Sequence, residues 1–225
     1  MTLQFPPAGT NQTQLIEGPA GAIEALLASP RQPAWGSCLI CHPHPLYGGA
    51  MSNKVVYSLA SAAGQAGLHT LRFNFRGVGR SAGRHDEGRG EADDAIWLAE
   101  QMRAALPAGM PVVLAGFSFG AFVVLKAAAR VQPAALMQVA PPFAATRDIY
   151  VLDDGALPQP RCPWRVIHSR DDDTVSYDET VAALTAYKPG PQLITVDGAG
   201  HFFHGRLSEV AEAFNGLLTE IAPPA

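Results

Sequence analysis

The stretch Pro111-Val112-Val113-Leu114-Ala115-Gly116-Phe117-Ser118-Phe119-Gly120-Ala121-Phe122-Val123-Val124-Leu125 decides how this chain folds. Its first five residues read as a buried strand and its last five as an apolar helix, which leaves Gly116–Gly120, a G-x-S-x-G pentapeptide, as the turn between them. A serine on so sharp a strand-to-helix turn presents its hydroxyl outward. Small residues two positions either side let strand and helix approach that closely. The pentapeptide alone is only moderately specific, and a glycine-rich turn whose serine caps the helix is the competing reading. Its placement between two apolar segments makes Ser118 the candidate nucleophile.

Outward from this turn, short apolar runs alternate with segments of helical period, the pattern of β-α units feeding a mostly parallel sheet. Strands are expected at Ala22–Leu27, Gly36–Cys41, Leu68–Phe73, Val112–Gly116, Ala134–Ala140, Trp164–His168 and Gln192–Val196. Helices are expected at Asn53–Ala66, Ala92–Leu106, Phe119–Val131, Tyr177–Tyr187 and Leu207–Ile221, each a short loop after a strand. Glu91, Asp93 and Asp94 suit the positive end of a helix dipole and read as structural. The 225 residues fit one α/β domain, 1–225.

A serine hydroxyl is a poor nucleophile until a base removes its proton, and imidazole suits that task near neutral pH. Of seven histidines, only His201 follows the last expected strand in a glycine-rich loop, Val196-Asp197-Gly198-Ala199-Gly200-His201. His204, three residues on, is the rival. Serines on such turns are served, in chain order, by an acid after the penultimate strand and a histidine after the last. The acid therefore lies in His168-Ser169-Arg170-Asp171-Asp172-Asp173-Thr174-Val175-Ser176, and chemistry alone leaves Asp171, Asp172 and Asp173 open.

Composition excludes other classes. Net charge is −4 with scattered basic residues, so the footprint of a nucleic-acid binder is missing. No apolar run is long enough to span a bilayer, and the start has no basic segment followed by an apolar one, so a cytoplasmic protein off the membrane is expected. Cys38 and Cys41 stand three apart on one strand, which turns their thiols to opposite faces; with Cys162 they read as core residues.

The residues together resemble the small lidless bacterial hydrolases of the α/β superfamily, akin to dienelactone-hydrolase-like and carboxylesterase enzymes. The resemblance covers nearly the whole chain. It rests on His42-Pro43-His44-Pro45, Gly48-Gly49, Asn53-Lys54, Phe73-Asn74-Phe75-Arg76-Gly77-Val78-Gly79-Arg80-Ser81, Gly116–Gly120 and Gly200-His201-Phe202-Phe203-His204. It implies the α/β-hydrolase fold, with helices on both faces of the sheet. The acid loop of such enzymes looks like H-G-x-x-D-x-x-V-P, which puts the acid at Asp172. Ser169 and Ser176 depart from that pattern.

In this fold the oxyanion hole takes one N–H from the residue after the nucleophile, here Phe119. The second comes from the loop after the strand ending at Cys41. Pro43 and Pro45 have no N–H, which leaves His44 first and Leu46 behind it. His42-x-His44 as a metal pair lacks acidic partners at Leu46-Tyr47-Gly48, so neither metal nor cofactor is expected. Arg76–Arg80 reads as a structural turn, not a phosphate loop. Only about twenty residues separate Ala140 from Pro163, too few for a helical lid. An open cleft follows, with Tyr47, Phe117, Phe119, Phe143, Tyr150 and Phe202 as possible walls. The expected activity is cleavage of short soluble esters by a monomer or homodimer. Thioesters and lactones are alternatives for the same triad, and a non-catalytic binding protein is the alternative of another class.

Overall fold

In the computed structural model, which describes residues 3–143 and 159–224, the strand β5 (Val112–Phe117) is buried at all six positions. It lies inside an eight-stranded sheet whose other members are β1 (Asn11–Gly18), β2 (Gly21–Ala28), β3 (Gly36–Cys41), β4 (Leu68–Phe73), β6 (Ala135–Val139), β7 (Trp164–Ser169) and β8 (Gln192–Val196). The spatial order is β1-β2-β4-β3-β5-β6-β7-β8. The hairpin β1-β2 and the pair β2-β4 are antiparallel; all other pairs are parallel. This is the α/β-hydrolase fold.

Parallel strands need helical crossovers, and those helices cover both faces. The helices are α1 (Lys54–Gln65), α2 (Arg89–Ala105), α3 (Phe119–Val131), α4 (Tyr177–Leu184) and α5 (Leu207–Thr219). On one face Val55, Val56 and Leu59 of α1 join Val210, Phe214 and Leu217 of α5 in a core with Ile40, Val113 and Met137. On the other, Ala95 and Leu98 of α2 join Phe122 and Leu125 of α3 in a core with Leu39, Leu71 and Leu114. Cys38 falls in the first core and Cys41 in the second, as their odd spacing on β3 requires.

The strand β1 was not expected. Its sequence, Asn-Gln-Thr-Gln-Leu-Ile-Glu-Gly, is largely polar and half exposed because it forms a sheet edge, where a ladder is needed on one side only. Its signal lies in its partner, since the register ends at Gly18 opposite Gly21, a two-residue hairpin. The helix α2 begins three residues earlier than expected, after a long loop from β4, because Glu91 turns back to accept from the N–H of Gly88 at 2.8 Å. The helix α4 stops at Leu184, and Tyr187 instead packs its ring on Trp164 at 4.9 Å.

That long loop is held by buried polar contacts. Arg76 forks onto Asp94 of α2 through Nε at 2.9 Å and Nη2 at 2.8 Å, with Asp94 almost sealed from water. Ser81 donates to the Asn74 carbonyl, and Asn74 donates to Glu24, whose carboxylate also accepts the Arg80 N–H. The segment Arg76–Arg80 is thus a structural turn. Removing one member of a buried pair strands the other, so Asp94→Ala is expected to lower unfolding free energy by about 3 kcal/mol. Urea denaturation measures this, and a loss under about 1 kcal/mol would mean that Arg76 finds water instead.

Candidate active site

Ser118 stands between β5 and α3 at φ 53° and ψ −122°, a conformation a side chain rarely adopts. Two glycines make it possible. A Cβ on Gly116 would run into the Gly120 carbonyl, and a Cβ on Gly120 would run into the carbonyl oxygens of Cys41 and His42. The Ser118 N–H donates to the Val139 carbonyl at 2.8 Å, which tethers the turn to β6. Its side chain makes no helix cap, so the capping alternative fails.

The loop after β8 brings His201 over this serine, with Nε2 3.1 Å from Ser118 Oγ and Nδ1 2.8 Å from Oδ2 of Asp172. His204 is exposed, stacks on Phe202, and does not reach the serine. Among the three aspartates the loop after β7 sorts cleanly. Asp171 accepts the Gly198 N–H, and Asp173 meets the Thr174 hydroxyl at 3.2 Å. Asp172 Oδ1 accepts the N–H groups of Thr174 at 2.9 Å and Val175 at 2.7 Å. Burial pushes the Asp172 carboxyl up, but hydrogen bonds from His168, His201 and the Val175 N–H outweigh it and hold the group well below the usual carboxylate range. An ionised Asp172 can only accept, so His201 carries its proton on Nδ1 and offers a lone pair at Nε2 to the serine.

Phe119 opens α3, so its N–H has no partner within the helix. Gly120 packs directly on the end of β3, and the His44 ring lies 4.8 Å from that of Phe119, which sets the loop after β3 beside the serine turn. Leu46 gives its N–H to Nδ1 of its neighbour His44 at 3.3 Å, whereas the His44 N–H has no partner among the described residues. His42 shapes the loop from beneath, with Nδ1 2.6 Å from the Pro43 carbonyl and Nε2 accepting the Phe75 N–H at 2.9 Å. Both of its nitrogens are spent on backbone.

Two features were invisible in sequence. His85, from the loop after β4, stacks on His44 at 4.8 Å and on Phe119 at 5.4 Å, with Nδ1 3.0 Å from the fully buried Glu91 carboxylate. Glu91 had shown only its helix-start character. His168 contacts the same oxygen of Asp172 as His201 does, at 3.1 Å. Its position within an apolar strand gave no sign of this beyond its place in the acid loop.

The aromatic walls need correction. Phe117 is wholly buried, 5.0 Å behind the His201 ring, because strand alternation turns it into the core shared by α1 and α5. Phe143 is also buried, in the opposite core beside Tyr187. Neither is displayed to a cleft. Tyr47 at 87% exposure, Phe202 at 45% and Leu46 at 70% are the exposed apolar groups near the serine, on the loops that carry His44 and His201. Tyr150 lies outside the described residues.

A family model described as the alpha/beta hydrolase fold matches residues 40–149. An uncharacterized protein of Rickettsia prowazekii is 33% identical over 213 residues, 92% of this chain and 88% of that relative. Among solved structures, a serine hydrolase without a lid from Xanthomonas campestris superposes with TM-score 0.89 at 33% identity, covering 99% of each chain. A serine hydrolase homologue from Coxiella burnetii gives TM-score 0.84 at 36% identity, covering 96% of this chain and 100% of its own.

Burial lowers the His42 pKa to about 4, against an opposing hydrogen bond to Pro43. The unfolded chain takes up this proton near pH 6.5 and the folded one near 4, so the contribution to stability is complete above 6.5 and is lost as pH falls to 4. The loss is about 3 kcal/mol at pH 4. Urea midpoints between pH 7 and 4 should fall less steeply for His42→Asn than for the wild type; parallel slopes would show that His42 is not the titrating group.

Proposed function

The chain belongs to the α/β-hydrolase fold family, and from that premise we propose that it cleaves short-chain carboxylic esters through an acyl-enzyme on Ser118. The observation that carries this reading is the continuous hydrogen-bonded line from Ser118 Oγ through His201 to Asp172, at 3.1 and 2.8 Å, on a strained serine. His201 Nε2 takes the Ser118 proton as Oγ attacks the carbonyl carbon, and Asp172 stabilises the imidazolium. The N–H groups of Phe119 and His44 receive the oxyanion. His201 then protonates the leaving alkoxide, draws a proton from the water that attacks the acyl-enzyme, and returns it to Ser118 as the acid departs. Proton transfer and acyl transfer balance without a cofactor.

The short stretch between β6 and β7 supports an open cleft, which suits small acyl groups over long chains. A thioester or a lactone would use the same atoms. Three cysteines with no disulfide suit a reducing compartment such as the cytoplasm, and no helix among the described residues is long and apolar enough to cross a membrane.

Initial rates on p-nitrophenyl acetate and butyrate test this reading. Ser118→Ala should lose about 10³-fold or more in kcat, and Asp172→Asn about 10²- to 10⁴-fold through the wrong imidazole tautomer. A fluorophosphonate should label the wild type at Ser118 alone. Wild-type rates no higher than those of Ser118→Ala, with no labelling, would turn the fold over to a binding role.

A further inference from the structure

His168 lies at the C-terminal end of β7, its side chain wholly buried. Its Nε2 is 3.1 Å from Asp172 Oδ2 and 3.1 Å from the Val175 carbonyl. Both neighbours are acceptors, so Nε2 must carry a proton. Its Nδ1 is sealed from water and has no partner. An N–H at Nδ1 would have nothing to donate to. The one N–H of His168 that finds a receiver is thus Nε2–H, directed at the carboxylate oxygen that also receives His201 Nδ1–H at 2.8 Å.

We propose that His168 is a positioning residue of the hydrolytic site: a hydrogen-bond donor that shares Asp172 Oδ2 with His201 and moderates how tightly that carboxylate holds the imidazolium. The proposal rests on the reading of Ser118, His201 and Asp172 as the hydrolytic triad. An oxygen that already accepts one N–H has less electron density to offer a second. Asp172 consequently orients His201 without making the imidazolium so stable that it keeps its proton. No bond to His168 forms or breaks during turnover.

The other polar groups around this pair are already committed. The Thr174 and Val175 N–H groups occupy Asp172 Oδ1. Tyr177 of α4 meets the His168 ring edge at 5.7 Å with its hydroxyl on Thr195, and Arg170 lies over Tyr177 while paired with Asp197. Asp171 takes the Gly198 N–H, Asp173 the Thr174 hydroxyl, and the far nitrogen of His201 faces Ser118. Among the described residues, His168 and His201 are the titratable groups in hydrogen-bond contact with Asp172.

Two amide variants separate positioning from packing. The amide of His168→Gln reaches the place of Nε2, whereas that of His168→Asn stops short of it. In His168→Asn the undiluted carboxylate should hold the imidazolium more tightly. The acidic limb of kcat/KM for p-nitrophenyl acetate then moves up by about 0.5 to 1 pH unit, and kcat falls about tenfold with KM little changed. His168→Gln should bring the limb back toward the wild-type position. The His201 titration followed by ¹⁵N NMR should show the same shifts without turnover. Limbs and NMR titrations that coincide in wild type, Asn and Gln variants, or that shift equally in both variants, would overturn the proposal and leave His168 a packing residue. If the NMR shift appears while the wild type hydrolyses no ester, the positioning role stands and the substrate reading fails. If Ser118→Ala loses activity while neither variant shifts, the triad stands and the role of His168 falls.

Discussion

Ser118 can hold a positive φ only because two neighbouring positions carry no Cβ, and much of the site follows from that contact. With Gly120 flush against the carbonyls of Cys41 and His42, the first turn of α3 is pressed onto the end of β3. That contact brings the loop of His44 beside the N–H of Phe119. The central strands β3, β5 and β6 are paired throughout and buried on both faces, so the turn cannot relax by shifting its strand. The strain in one residue is borne by the two cores packed on either side.

At the C-terminal edge of the sheet, where the site lies, regular secondary structure ends and buried carboxylates take over as organisers. Asp172 gathers the loop after β7, Glu91 the approach to α2, and Asp94 the turn at Arg76. Each accepts at least two hydrogen bonds, which is what allows an acid to be buried there at all. The loops that carry His85 and His201 are thereby ordered by point contacts that tolerate little substitution.

How much of this was legible in the sequence differs by kind of signal. The strands β3, β4 and β8 and the apolar helix α3 could be bounded to the residue because turn-forming residues such as Pro43, Gly67, Asn74, Pro191 and Gly198 stand close to the strand ends. The strand β1 could not, since an edge needs little burial and its alternation is masked by Asn11, Gln12 and Gln14. Ser118 and His201 could be named as candidates because each stands in a glycine-marked loop after a recognisable strand, whereas loop order left three aspartates open and only the family resemblance pointed to Asp172. The contacts of His85 with Glu91 and of His168 with Asp172 are matters of three-dimensional aim. Such aim has no local signature, whereas the burial of Phe117 follows from the alternation it shares with Val113 and Ala115 along β5.

The three cysteines of the core have a chemical corollary. Burial pushes the thiols of Cys38 and Cys41 far up, and that of Cys162 to about 11, so at neutral pH almost none is ionised. A protonated thiol is a feeble partner for peroxide, disulfides and alkylating agents. Oxidants and alkylating agents that act on thiolates should therefore find little to react with at these three positions.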